Sequence, residues 1–219
     1  MKKIKPIIAI DGLTASGKGT LARKLSAYFN FYYLDTGLLY RAFAYLLKIE
    51  KFSSSADIIT SNFDIMTIIN DLNLKDESIT DSASIISQDQ LVREYLLEIQ
   101  RKIAYSPPNE FNGAILDGRD IGTVVCPDAD CKIFLEASLE ERAMRKILDL
   151  QKGYSIEQVI DMLKEHDTRD QTRTIPNLAN NDMYFTLNTT DLTVGESFRK
   201  VVSYVKPILE KSYSNCNCI

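Results

Sequence analysis

At 219 residues, with 45% hydrophobic and 26% charged residues, the chain is long enough for one sizeable domain with insertions, and its composition excludes a disordered or fibrous protein. A formal net charge of −4 leaves no global basic field of the kind that neutralises nucleic-acid phosphates, although small anionic ligands need only local cations. No stretch approaches the roughly 18 consecutive apolar residues of a membrane span.

The N-terminal MKKIKPIIAIDG has basic residues and then an apolar run, but the run is too short for a secretory leader and leads straight into Gly12, so a cytoplasmic chain is expected. Ile7 to Ile10 reads as a strand, and Lys18 to Phe29 as a helix. Between them lies GLTASGKGT, with Gly12, Gly17 and Lys18 at GxxxxGK spacing. In that context glycines turn backbone N–H groups onto phosphate oxygens, the helix N-terminus adds positive charge, and Lys18 reaches the β and γ phosphates. The expected nucleotide contacts are Gly12, Leu13, Thr14, Ala15, Ser16, Gly17, Lys18, Gly19 and Thr20. The position after Lys18, where P-loops place a magnesium-binding hydroxyl, is Gly19. Two alternatives follow. Either Mg²⁺ is held through water and another carboxylate, or Thr20 serves α-phosphate binding alone. No NKxD guanine-reading motif is present.

Further strands are expected at Phe31 to Leu34, Ala114 to Leu116, Lys132 to Leu135 and Tyr184 to Leu187, separated by helical patterns. The alternation implies an α/β fold, a P-loop core of about five parallel strands with helices on both faces. Ser138 with Glu141, Ser155 with Gln158, and Thr193 with Glu196 are candidate capping boxes. Two polar segments break the alternation, residues 53–90 and 151–181, leaving 1–52, 91–150 and 182–219 as the core. They are read as an insert and a lid. Asp117, at the end of the strand in AILDGRD, stands where a Walker B acid orients metal-bound water. Arg41, Arg93, Arg119, Arg169 and Arg173 could meet a second phosphate, since the guanidinium fork pairs bidentately with it. Arg93 also fits a solvated helix face near Leu96, Ile99 and Ile103, and Arg41 a surface ion pair. The four cysteines, Cys126, Cys131, Cys216 and Cys218, lack zinc spacing, and with His166 the sole histidine they read as free thiols. No heptad is visible, so a monomer is expected.

Taken together, IDGLTASGKGT, LDTGLLYRAF, SIISQDQLVRE, LDGRDIGTVVCPDADCKIFLEASLEERAMRK and RDQTRTIPNL resemble the bacterial cytidylate kinases in order and spacing over most of the chain. The resemblance implies γ-phosphoryl transfer from ATP·Mg²⁺ to CMP or dCMP on a core, insert and lid. It places Lys18 on the transferring group and Asp117 near Mg²⁺, and closure of the lid would bring Arg169 and Arg173 over the phosphates and exclude water. Arg41, Arg119 and Arg173 would surround the CMP phosphate, with Thr36 where the family has Ser, and Asp170 would bind the sugar. Ser84, Arg93 and Asp120 match the cytosine-reading positions. Asp120 can accept from the N4 amine of cytosine while Arg93 donates to the O2/N3 edge, and uracil would set a carbonyl against the carboxylate.

Three positions depart from the pattern. His166 and Lys75 stand where the family has arginines, and Asn188 replaces an aspartate before Thr189 and Thr190. A UMP or AMP kinase, or a non-catalytic ATP-binding module, is the competing expectation. The acceptor arginines and Asp117 argue against the module.

Overall fold

The computed structural model describes residues 5–49, 51–69, 74, 76–150, 153–171 and 182–216. Five strands, β1 (Ile7–Gly12), β2 (Phe31–Asp35), β3 (Gly113–Gly118), β4 (Cys131–Glu136) and β5 (Phe185–Asn188), form one sheet in the order β2-β3-β1-β4-β5. β1 runs parallel to β3, Ile7 opposite Ala114 through Asp11 opposite Gly118, and parallel to β4, which runs parallel to β5. Every residue of β1 is buried, as a central strand covered on both faces requires. That burial explains why IIAI is a continuous apolar run rather than an alternating one.

The chain divides into two compact units, residues 35–101 and the remainder. In the larger unit α1 (Lys18–Phe29) presents Leu21, Ala22 and Leu25 to the sheet, where they join Ile8, Ile10, Ile133 and Leu135. The helix stops at Asn30, whose left-handed φ of 56° lets its N–H reach the Ser26 carbonyl. The carboxyl ends of β1, β3 and β4 meet where the strand order reverses, the edge at which open α/β sheets bind ligands.

The smaller unit holds α2 (Thr36–Lys48), α3 (Ser55–Thr60), α4 (Met66–Ile69), α5 (Glu77–Ile86) and most of α6 (Gln90–Tyr105). Two of its polar residues are helix starts. The Ser54 hydroxyl accepts from the Asp57 N–H, and Asp76 accepts from the Ser78 N–H. Ala44 of α2 packs on Ile79 and Ala83 of α5. In the larger unit α7 (Leu139–Asp149) and α8 (Ile156–Gln171) dock through Ala143, Val159 and Leu163. Within the segment read as a lid, Ile156–Gln171 is thus sixteen residues of amphipathic helix seated on α7. α9 (Val194–Cys216) completes the described elements. Cys126 and Cys131 are buried and free, while the Cys216 side chain and Cys218 lie outside the described residues.

Candidate active site

The loop between β1 and α1 is shaped by backbone rather than by side chains. Gly12 adopts φ +147° with its Cα against β4, so that a Cβ there would sit 2.1 Å from the Leu135 carbonyl oxygen. Ala15 and Gly17 also take positive φ, and the Ser16 N–H closes a turn on the Leu13 carbonyl at 3.3 Å. Lys18 is buried, its Nζ donating to the same carbonyl at 2.7 Å. The Ser16 hydroxyl is buried with no protein hydrogen-bond partner, a polar orphan that an oxyanion in the loop would satisfy. These features fit a phosphate.

Asp117 closes β3, buried, and its Oδ2 accepts from the Tyr33 hydroxyl at 3.1 Å. Across from it lies Gly19, where a Cβ would stand 3.4 Å from Asp117 Oδ2 and from Tyr33 Oη. The absent side chain lets the first turn of α1 come close to the carboxylate. One carboxylate in such a place suits a hard, oxygen-seeking cation held through water. Arg119 follows. Its Nη2 donates to Thr14 Oγ1 at 2.7 Å and its Nε to Asp170 Oδ2 at 2.6 Å. Burial alone would pull the Arg119 pKa down, but Asp170, Asp117 and Asp167 outweigh it and hold the pKa above the ordinary arginine value. The residues read as phosphate binder and sugar binder therefore form an ion pair with each other. Asp120 begins a π-helical turn, Ile121–Val125, its carbonyl accepting from the Val124 N–H at 2.8 Å.

In the smaller unit Arg41 donates to Asp35 at 3.0 Å, while its Nε is buried without a partner. Thr36 is buried at the start of α2. Ser84 is half-buried on α5 and Arg93 half-buried on α6, so Arg93 is not on a fully solvated face. Arg169, on α8, donates to the Glu165 carbonyl at 3.3 Å. Arg173 and Lys75 lie outside the described residues.

Two arginines at the loop had no role in the sequence reading. Arg142 on α7 is buried, clasps Asp167 with two bonds of 3.0 and 2.8 Å, and reaches the Thr14 carbonyl at 3.4 Å. Arg145 holds the Thr189 hydroxyl at 2.9 Å and its carbonyl at 2.7 Å, and that hydroxyl donates to the Ser16 carbonyl at 3.1 Å. The available signal was ERAMRK itself: arginines three apart, in the first turns of a helix leaving the carboxyl end of a strand.

A family model described as cytidylate kinase matches residues 8–207. A cytidylate kinase from Methylocella silvestris is 42% identical over 206 residues, covering 91% of this chain and 94% of that protein. One from Bartonella bacilliformis is 38% identical, covering 93% and 96%. Among solved structures a gluconokinase from Sinorhizobium meliloti has a TM-score of 0.54 at 11% identity, covering 98% of this chain and 99% of that one. A shikimate kinase from Bacteroides thetaiotaomicron reaches 0.51 at 13%, covering 93% and 99%, and both likenesses bear on the fold alone.

Proposed function

We propose how the reaction is divided among residues of this chain, which belongs to the cytidylate kinase family and is a nucleoside monophosphate kinase, passing the γ-phosphoryl group of ATP to CMP or dCMP. The loop from Gly12 through Leu13, Thr14, Ala15, Ser16, Gly17, Lys18 and Gly19 to Thr20 receives the ATP phosphates. The orphaned Ser16 hydroxyl is the observation that carries this assignment. Lys18 exchanges the Leu13 carbonyl for oxygens of the β and γ phosphates, where it offsets the charge that builds on the leaving ADP as the bond lengthens. Asp117 would hold Mg²⁺ through water; bound with ATP, that ion offsets charge on the β and γ phosphates.

Arg41, Arg119 and Arg173 are assigned to the acceptor phosphate, with Thr36 beside them and Asp170 to the sugar. Ser84, Arg93 and Asp120 read cytosine. An arginine already ion-paired to a carboxylate is desolvated and oriented before the phosphate arrives. Arg169 and Arg173 shield the transferring group from water, which would otherwise compete as acceptor. CMP needs no strong base, because its attacking phosphate is already anionic; catalysis is by positioning and charge neutralisation. The division into core, insert at 53–90 and lid at 151–181 follows the same assignment. We place the enzyme in the cytoplasm as a monomer, in keeping with described helices none of which is long and apolar enough to cross a membrane. The deciding experiment measures ADP released from ATP with CMP, dCMP, UMP or AMP as acceptor. CMP and dCMP are expected to support turnover well above the others, and equal rates with UMP would remove the base-reading roles.

A further inference from the structure

Asp11 is fully buried at the end of β1, one residue before the phosphate loop. Its Oδ1 accepts from the Ile121 N–H at 2.7 Å, and its Oδ2 from the Gly122 N–H at 2.9 Å and the Tyr184 hydroxyl at 2.9 Å. A carboxylate so placed is costly to desolvate, and three charge-assisted bonds are what offset that cost. Those bonds all serve one end: two go to the backbone immediately after Asp120, and the third to the side chain that covers it. A Cβ on Gly122 would lie 2.4 Å from the Tyr184 hydroxyl oxygen and 3.1 Å from Lys132 Cδ. The turn therefore has one position, pressed between β1 and Tyr184.

We infer that Asp11 and Tyr184 are positioning residues for the acceptor side, fixing the Arg119–Asp120 turn against the strand that carries the donor loop. The inference rests on the base-reading role proposed for Asp120. The turn is also bonded within itself, the Asp120 carbonyl accepting from the Val124 N–H at 2.8 Å and the Val125 N–H at 3.2 Å and the Ile121 carbonyl from the Cys126 N–H at 2.7 Å, so it is a closed unit that Asp11 ties to β1. Without the anchor at 121 and 122 those bonds close a ring that can tilt as a body, taking the Asp120 side chain with it. A displacement of roughly 1 Å is enough to cost large factors in a positioned reaction.

The experiment compares Tyr184→Phe, Asp11→Asn and Asp120→Ala by KM for CMP, KM for ATP, kcat, and the CMP-to-UMP ratio of kcat/KM. Tyr184→Phe removes one donor at nearly constant volume. It is expected to raise KM for CMP and lower the CMP-to-UMP ratio by about threefold to tenfold, with KM for ATP within about twofold. Asp11→Asn turns an acceptor oxygen into a donor facing an N–H, so the shift is expected to exceed about tenfold where the variant folds. If Asp120→Ala loses the CMP preference while Tyr184→Phe and every folded Asp11 variant keep it, the positioning role is overturned and the base reading stands. If Asp120→Ala keeps the preference, the base reading falls and the inference with it. A proportional loss against CMP and ATP alike would mark Tyr184 as merely structural, and would also overturn it.

Discussion

The glycine loop after β1 and the two carboxylate-paired arginines, proposed above as donor and acceptor sites, are built on opposite plans. Around residues 12–18 the shape comes from backbone: Gly12 at φ +147° against Leu135, and Lys18 folded onto Leu13. At Arg119 and Arg41 the shape comes from charge, each guanidinium held by a carboxylate, Asp170 or Asp35. A backbone site has one geometry and tolerates little. A charge-paired site keeps its cations oriented, and under the proposed assignment it would admit and release a substrate anion without rebuilding itself.

That contrast can be broken from either side. The largest effect is expected for Lys18→Ala, a fall in kcat of about 10³, equivalent to ~4 kcal/mol of barrier, with the melting temperature nearly unchanged. Steady-state rates near wild type would show that the loop backbone suffices. Gly12→Ala tests shape directly. Its Cβ meets Leu135 backbone that cannot move aside, and a loss of about 3–4 kcal/mol in urea unfolding is expected.

Asp11 supplies a pH test between the two plans. Burial pushes its pKa from 3.8 up to about 6; the Gly122, Ile121 and Tyr184 bonds pull it down, and Asp120 adds to the rise. A raised carboxyl favours the protonated fold, so its stabilising contribution is full below about pH 4 and is lost as pH rises through about 6, amounting to ~3 kcal/mol. The stability gap between wild type and Asp11→Asn should therefore move in favour of wild type as pH falls across that window; a gap constant from pH 4 to 7 would contradict it. The smallest effect is expected for Arg119→Lys, which keeps the charge but not the fork that reaches both Thr14 and Asp170. A rise in KM for CMP of about tenfold, ~1.4 kcal/mol, would mean that geometry matters beyond charge, and an unchanged KM would reduce the acceptor side to charge alone.

All five strands were legible from apolar runs, contiguous in β1, β3 and β4 because those strands are buried almost throughout, and α1 from its position and helical pattern after the glycine loop. The capping boxes show where local reading stops. Ser155 with Gln158 and Thr193 with Glu196 close reciprocally. Ser138 caps the Glu141 N–H, but its own N–H goes to Thr190, while Glu141 turns to Arg145. That diversion is tertiary and leaves no mark at i+3. The helices α3 to α5 were hidden for a related reason: each buries so few residues that no period accumulates, and Ser54 and Asp76 read as loop composition although they are caps. Of the site, the loop and Asp117 could be read from spacing. Asp11 could not, because Tyr184 lies 173 residues away in sequence, and for Arg142 and Arg145 the ERAMRK spacing marks a helix face but not the contacts to Asp167 and Thr189, 25 and 44 residues away. Arg173 is assigned through family membership, and its position lies outside the described residues.

Lys18 carries one more consequence. Its ammonium is already fastened to the Leu13 carbonyl, and its stem is buried. A free lysine carries about 2 kcal/mol of rotamer entropy, and here that loss falls on folding rather than on nucleotide capture. Under the proposed assignment, arrival of ATP would trade the Leu13 oxygen for a phosphate oxygen. On that assignment the lysine would act less like an arm that reaches out than like a switch resting on its second contact, favouring fast association and leaving discrimination to the residues proposed to meet the acceptor.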